Sequence, residues 1–134
     1  AHVHTIPPGG SVSYNRTFIA SRQTRVAVLP VGYADGYNRL LSNRGQVLIG
    51  GRRVPVIGRV CMDMTMIDVT DVQGVHVGDD AILIGQQGSE RITAADVAAW
   101  QQTIPYEVLC AIGSRVPRRY LPLISPSGEP SRES

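Results

Sequence analysis

Apolar residues along this chain come in short β-branched runs separated by glycine: Ser11–Ile19, Thr24–Leu29, Gln46–Ile49, Arg52–Ile57 and Val60–Val69. Runs of that length bounded by turn residues predict strands, and their succession predicts an all-β region from Ser11 to about Val72. Gly50-Gly51, between Val47-Leu48-Ile49 and Arg52-Arg53-Val54-Pro55-Val56, predicts a two-residue hairpin, because glycine accepts the positive φ such turns need. Pro55 has no amide to donate, so the second strand is expected at a sheet edge or with a bulge there. In Val75–Gly85 the theme continues, with Gly78-Asp79-Asp80 as a turn and Ala81-Ile82-Leu83-Ile84 as a buried strand. Only then does the period change. Thr93-Ala94-Ala95-Asp96 reads as a capping box with Asp in place of Glu, Ile92 and Val97 stand where a hydrophobic staple would clamp it, and a helix from about Ala94 to Gln102 is expected. Pro105 opens a second short helix through Cys110, and Arg115-Val116-Pro117-Arg118 returns to extended chain.

At 134 residues there is room for one ordinary domain. Residues 1–10, ending in Pro7-Pro8-Gly9-Gly10, read as a linker, residues 11–122 as a β domain, and residues 123–134 as a frayed Ser/Pro/Glu/Gly tail. The expected fold is mainly β: a curled or partly open β-barrel with one or two short helices near the C-terminal end. The start lacks an initiator Met and reads as a piece of a longer chain, with processing as the other route to the same end.

All 13 cationic side chains are arginine, and there is no lysine. A Schiff base on this chain, a P-loop lysine and a lysine general base are therefore excluded. A net charge of +2, with no arginine run beyond Arg52-Arg53 and Arg118-Arg119, does not indicate nucleic acid. Two isolated thiols, Cys61 and Cys110, make no disulfide framework and fit a cytoplasmic chain. No apolar run has the length of a membrane span. His2, His4 and His76 have no ligand spacing, so no metal is expected.

Three tyrosines stand in polar surroundings: Tyr14 in Ser13-Tyr14-Asn15-Arg16, Tyr33 in Gly32-Tyr33-Ala34-Asp35-Gly36, and Tyr106 in Pro105-Tyr106-Glu107. A phenol acts as a base only when a cation or a dry pocket perturbs it; otherwise each is a half-buried strand residue with its hydroxyl in water. Arg39 and Arg59 read equally as solvated charges or as halves of ion pairs. Cys61-Met62-Asp63-Met64-Thr65-Met66 holds every methionine, alternating as a strand would face them. That stretch is either soft core packing or a backbone segment beside a ligand.

Taken together, these segments resemble the C-terminal domain of alanine racemase, the pyridoxal-phosphate enzyme that interconverts L- and D-alanine. The likeness covers about Pro8 to Leu121. It runs in order through Ser11-Val12-Ser13-Tyr14, Pro30–Tyr37, Ser42-Asn43-Arg44-Gly45, Val56–Asp63, Val77-Gly78-Asp79, Tyr106-Glu107-Val108 and Arg115-Val116-Pro117-Arg118. The resemblance implies a missing N-terminal (β/α) barrel carrying the cofactor on a lysine, a head-to-tail homodimer, and a role in D-alanine supply for peptidoglycan. It implies that Tyr14 is the catalytic tyrosine, reaching into the partner subunit's site. Tyr33 and Tyr106 match the inner constriction of the substrate entryway, and Arg39, Arg59 and Ile104 the layer outside it. Tyr106 also matches the tyrosine that bonds the cofactor phosphate. Met62 matches the residue whose backbone N–H meets the substrate carboxylate, with Asp63 beside it. Asn15 departs from the glycine usual after the tyrosine, although Asn tolerates the same turn. Without the barrel, this chain by itself is expected to bind no cofactor and racemise nothing. A serine or broad-specificity racemase domain is the near alternative. A stand-alone β-barrel module binding peptide or nucleic acid through its arginines is the distant one, and sparse aromatics argue against it.

Overall fold

In a computed structural model that describes residues 2–12 and 18–110, antiparallel pairing accounts for almost all of the order. The strands are β1 (His2–Ile6), β2 (Ser11–Val12), β3 (Phe18–Ile19), β4 (Thr24–Leu29), β5 (Gln46–Ile49), β6 (Arg52–Ile57), β7 (Thr65–Asp68), β8 (Ala81–Ile82), β9 (Gly85–Gln87) and β10 (Glu90–Ile92). Two helices follow, α1 (Ala94–Gln101) and α2 (Pro105–Cys110). The main sheet has the order β1-β4-β7-β6-β5-β8, with β2-β3 and β9-β10 as separate two-stranded ribbons. The mainly β class and the two late helices match the expectation. Among the described residues no ladder joins β1 to β8, so the sheet is open and the barrel does not close.

One large aliphatic cluster, including Leu41, Val47, Leu48, Ile67, Val69 and Ile92, forms the main core, and consecutive β5 residues, which face opposite ways, both enter it. Val26 and Ile57 form a smaller cluster with Ile6, Phe18 and Met66. An eight-residue helix such as α1 is too short to persist alone. It persists here because Val97 and Ala98 enter the large cluster and because its capping box is complete, with Thr93 Oγ1 accepting from the Asp96 N–H and Asp96 accepting from the Thr93 N–H. Those bonds hold the Asp96 carboxyl below its ordinary pKa. Ile92 and Val97, the expected staple, are both buried.

Several expectations change in detail. Residues 1–10 are not simply connector, since β1 pairs along its length with β4. Of the run Ser11–Ile19, the described residues form two short strands paired Ser11↔Ile19 and Val12↔Phe18. Strand β6 is interior, not an edge. Pro55 is accommodated because the Val56 N–H bonds the Gly45 carbonyl, which turns the Pro55 nitrogen away from β5, and the ladder to β7 runs only over Val56↔Ile67 and Ile57↔Met66. Val60–Val69 is a strand only over β7, and the buried strand expected at Ala81–Ile84 is the half-buried β8 alone. The polar β9–β10 hairpin carried no apolar alternation to reveal it.

Candidate functional site

The turn that carries Tyr33 is built on two contacts with the chain beyond Val60. The Tyr33 N–H donates to the Cys61 carbonyl at 2.9 Å, and the Ala34 N–H to the Met62 carbonyl at 2.9 Å. Gly32 permits this approach: a Cβ there would lie 2.1 Å from the Cys61 oxygen and 2.7 Å from the Met62 carbonyl carbon. Asp35 closes the turn by accepting from the Gly32 N–H at 3.1 Å, while buried Thr65 donates its hydroxyl to the Val31 carbonyl at 2.6 Å. Tyr33 is thus held on a fixed backbone with its ring 44% exposed. Tyr37 goes inward instead. Its hydroxyl is buried without a hydrogen-bond partner, and burial pushes the phenol well above its ordinary pKa.

Arg39 begins the next turn, Arg39–Leu41, capped by Asn38, whose Oδ1 accepts from the Leu40 N–H at 2.8 Å. Leu41 anchors this turn in the core, and α1 packs against it. The Arg39 guanidinium lies 5.5 Å from the Tyr33 ring centroid, a cation–π contact at an exposed site. Arg39, Leu40, Ser42 and Arg59 line an open depression of about 460 Å³. The segments bearing the two arginines are tied together. Ser42 Oγ donates to the Arg39 carbonyl at 2.6 Å and accepts from the Val60 N–H at 2.8 Å. Asn43 accepts from the Gly58 N–H at 2.7 Å, and its own N–H donates to the Gly58 carbonyl at 3.1 Å.

Tyr33, Arg39 and Arg59 therefore lie along one rim, and Met62 backs it through its bond to the Tyr33 turn. Met62 and Met64 are exposed and lie outside β7, so they are not core packing; only Met66 packs inward, against the smaller cluster. The Met62 carbonyl is taken by Ala34, while among the described residues nothing accepts its N–H. Asp63 is exposed beside it. Ile104 and Tyr106 are exposed at the start of α2, Tyr106 at 73%, and among the described residues no hydrogen bond or ring contact joins Tyr106 to Tyr33. Tyr14 lies outside the described residues. Sequence reasoning assigned no role to Asn38, Ser42 or Asn43. Their signal was present in the cluster of short polar side chains, the type that bonds nearby backbone. Among the described residues no three His, Cys, Asp or Glu side chains gather to hold a metal, and no helix is long and apolar enough to cross a membrane.

Comparison with known proteins places this chain in a family. The family model described as alanine racemase, C-terminal domain, matches residues 1–120. "Alanine racemase 2" of Caldanaerobacter subterraneus subsp. tengcongensis is 55% identical over 120 residues, covering 90% of this chain and 31% of that protein. The crystal structure of alanine racemase from D-cycloserine-producing Streptomyces lavendulae superposes with a TM-score of 0.84 at 40% identity, over 90% of this chain and 31% of that one. The Bartonella henselae alanine racemase, solved with covalently bound pyridoxal phosphate, gives a TM-score of 0.82 at 34% identity, over 89% of this chain and 32% of that one. The chain thus spans about a third of the length of the relatives it matches, 31% of the first. Matched along residues 1–120 of its 134, it belongs to the alanine racemase C-terminal domain family.

Proposed function

We propose that this domain completes the active site of an alanine racemase: it supplies a proton-exchanging phenol and the path by which the amino acid reaches the reaction centre. Racemisation takes the α-proton from one face and returns one to the other, so two opposed groups serve better than one that must cross the plane. Tyr14 is the group on this chain, its Oη exchanging the α-proton of the L-isomer in the partner subunit's site. The guanidiniums of Arg39 and Arg59 draw the carboxylate electrostatically into the depression they line. Tyr33, Ile104 and Tyr106 narrow the path, and the Met62 N–H, with Asp63 beside it, receives the carboxylate. The observation that best supports this reading is the clustering of Tyr33 with Arg39, and of Arg39 with Arg59 about one depression, with the Met62 backbone bonded to the Tyr33 turn.

The pyridoxal phosphate of the Bartonella relative is covalently bound, and such attachment uses a lysine amine. This chain has no lysine. Covalent attachment therefore does not fit the residues present here and belongs to a domain outside this chain, in a homodimer; Tyr106 contributes at most a hydroxyl toward the phosphate. When bound, the cofactor supplies the electron sink that acidifies the α-hydrogen, while the protein aims the proton-transfer groups.

Joining this domain to a racemase barrel, supplying pyridoxal phosphate and following α-hydrogen exchange of L- and D-alanine in heavy water tests the proposal. Tyr14→Phe is expected to impair exchange chiefly from L-alanine. Equal rates in both directions before and after the substitution would remove Tyr14 from the reaction.

A further inference from the structure

Arg59 is gripped on both sides by one dipeptide. The residue before it, Gly58, exchanges two hydrogen bonds with Asn43, whose Oδ1 accepts from the Gly58 N–H at 2.7 Å while the Asn43 N–H donates to the Gly58 carbonyl at 3.1 Å. The residue after it, Val60, donates its N–H to Ser42 Oγ at 2.8 Å. The same Ser42 hydroxyl gives its proton to the Arg39 carbonyl at 2.6 Å. A single side-chain oxygen therefore links the backbone of one arginine to the backbone beside the other. Asn43 holds φ at 56°, a left-handed conformation that Asn tolerates through its short polar side chain, and that geometry lets it bond Gly58 from both its backbone and its side chain.

We infer that Ser42 and Asn43 are positioning residues that set the spacing of Arg39 and Arg59 across the depression they line. Two guanidiniums on one open rim repel each other, so for one carboxylate to lie within reach of both, the backbone positions that carry them must be held at a fixed separation. The clamp supplies that restraint. It fixes the separation of the two backbone frames, so that a carboxylate in the depression lies within reach of both side chains. The inference rests on the carboxylate-steering reading of the two arginines.

The test uses the racemase assembled with its barrel, measuring kcat and KM for alanine together with amide hydrogen exchange. Ser42→Ala is expected to raise KM roughly fivefold to tenfold, the scale of one lost ordering hydrogen bond, with kcat little changed and exchange at the Val60 amide accelerated. Ser42→Thr, which keeps the hydroxyl, restores KM, and Asn43→Asp, which keeps the acceptor and tolerates the turn, does the same where Asn43→Ala does not. In an Arg59→Ala background Ser42→Ala adds no further rise, because the spacing it sets matters only while both arginines are present. A KM unmoved by Ser42→Ala while Arg59→Ala raises it overturns the clamp and leaves steering intact; so does a full extra rise in the double variant. If Arg59→Ala itself leaves KM unmoved, steering fails and the positioning role fails with it. Should Asn43→Ala not fold, the Ser42 series decides alone.

Discussion

Two glycine-built turns in this domain exist for different reasons. At Gly50-Gly51 the backbone needs positive φ, 60° and 73°, to join β5 to β6, and a Cβ on Gly51 would meet nothing within 4 Å. At Gly32 the constraint is space, since a Cβ would run into the Cys61 carbonyl at 2.1 Å. The hairpin is a local matter of dihedral angles. The Tyr33 turn is a contact between segments some thirty positions apart in sequence, and it is the one that carries the candidate rim. Where local geometry is the constraint, the fold is secured; where close approach is the constraint, the site is.

The largest test of that contrast is Gly32→Ala. Forcing backbone from backbone and losing two hydrogen bonds should destabilise the domain by about 3 kcal/mol in urea unfolding, and should shift the Tyr33 and Met62 resonances together. A loss below about 1 kcal/mol would mean the turn gives way easily and the space argument fails. Gly51→Ala should cost only about 1 kcal/mol, the left-handed penalty, and leave the rim resonances in place. Gly50→Ala is expected to cost more than Gly51→Ala, because its Cβ would also meet Val72 Cγ1 at 2.8 Å.

Tyr37 sharpens the comparison from the core side of the same turn. Its hydroxyl is buried and unpartnered against Gly45, so Tyr37→Phe should leave stability unchanged or raise it by up to about 1 kcal/mol. A clear loss would mean that the hydroxyl has a partner when the domain is assembled. The smallest effect lies far from both turns. Arg22 bonds Asp71 at 2.9 Å on the open surface, which holds the Asp71 carboxyl below its ordinary pKa. Its slight contribution is therefore present above the usual carboxylate range and is lost as pH falls through the lowered folded value. Asp71→Asn should flatten that part of the stability–pH curve and leave the rim unaffected, as measured by thermal unfolding between pH 2 and pH 6.

The strands β4, β5 and β6 and both helices were legible in the residues, because each follows from a local signal: β-branched runs, a glycine pair, a capping box, a proline at a helix start. Pro55 shows the limit of that reasoning. Its missing donor was legible, but whether an unpaired side existed in the sheet depended on where the β7 ladder stops. The methionines show it again, since alternation suggested one strand face, whereas Cys61 and Met62 leave the strand to receive the Tyr33 turn. Tyr33, Arg39 and Arg59 were singled out by their local surroundings, but an entryway role for them came only through the resemblance. Their nearness was not, and neither were the roles of Ser42 and Asn43.

Residue chemistry alone settled three things here: an aliphatic β domain, late short helices, and an inability to hold an aldehyde cofactor covalently for want of a lysine. Side-chain inventory and local dihedral preference suffice for each. Tertiary structure decided that the sheet is open over the described residues, that β6 lies inside it, and that two arginines twenty positions apart line one depression. Those outcomes depend on which distant backbones approach closely enough to exchange hydrogen bonds, a property of the folded chain as a whole.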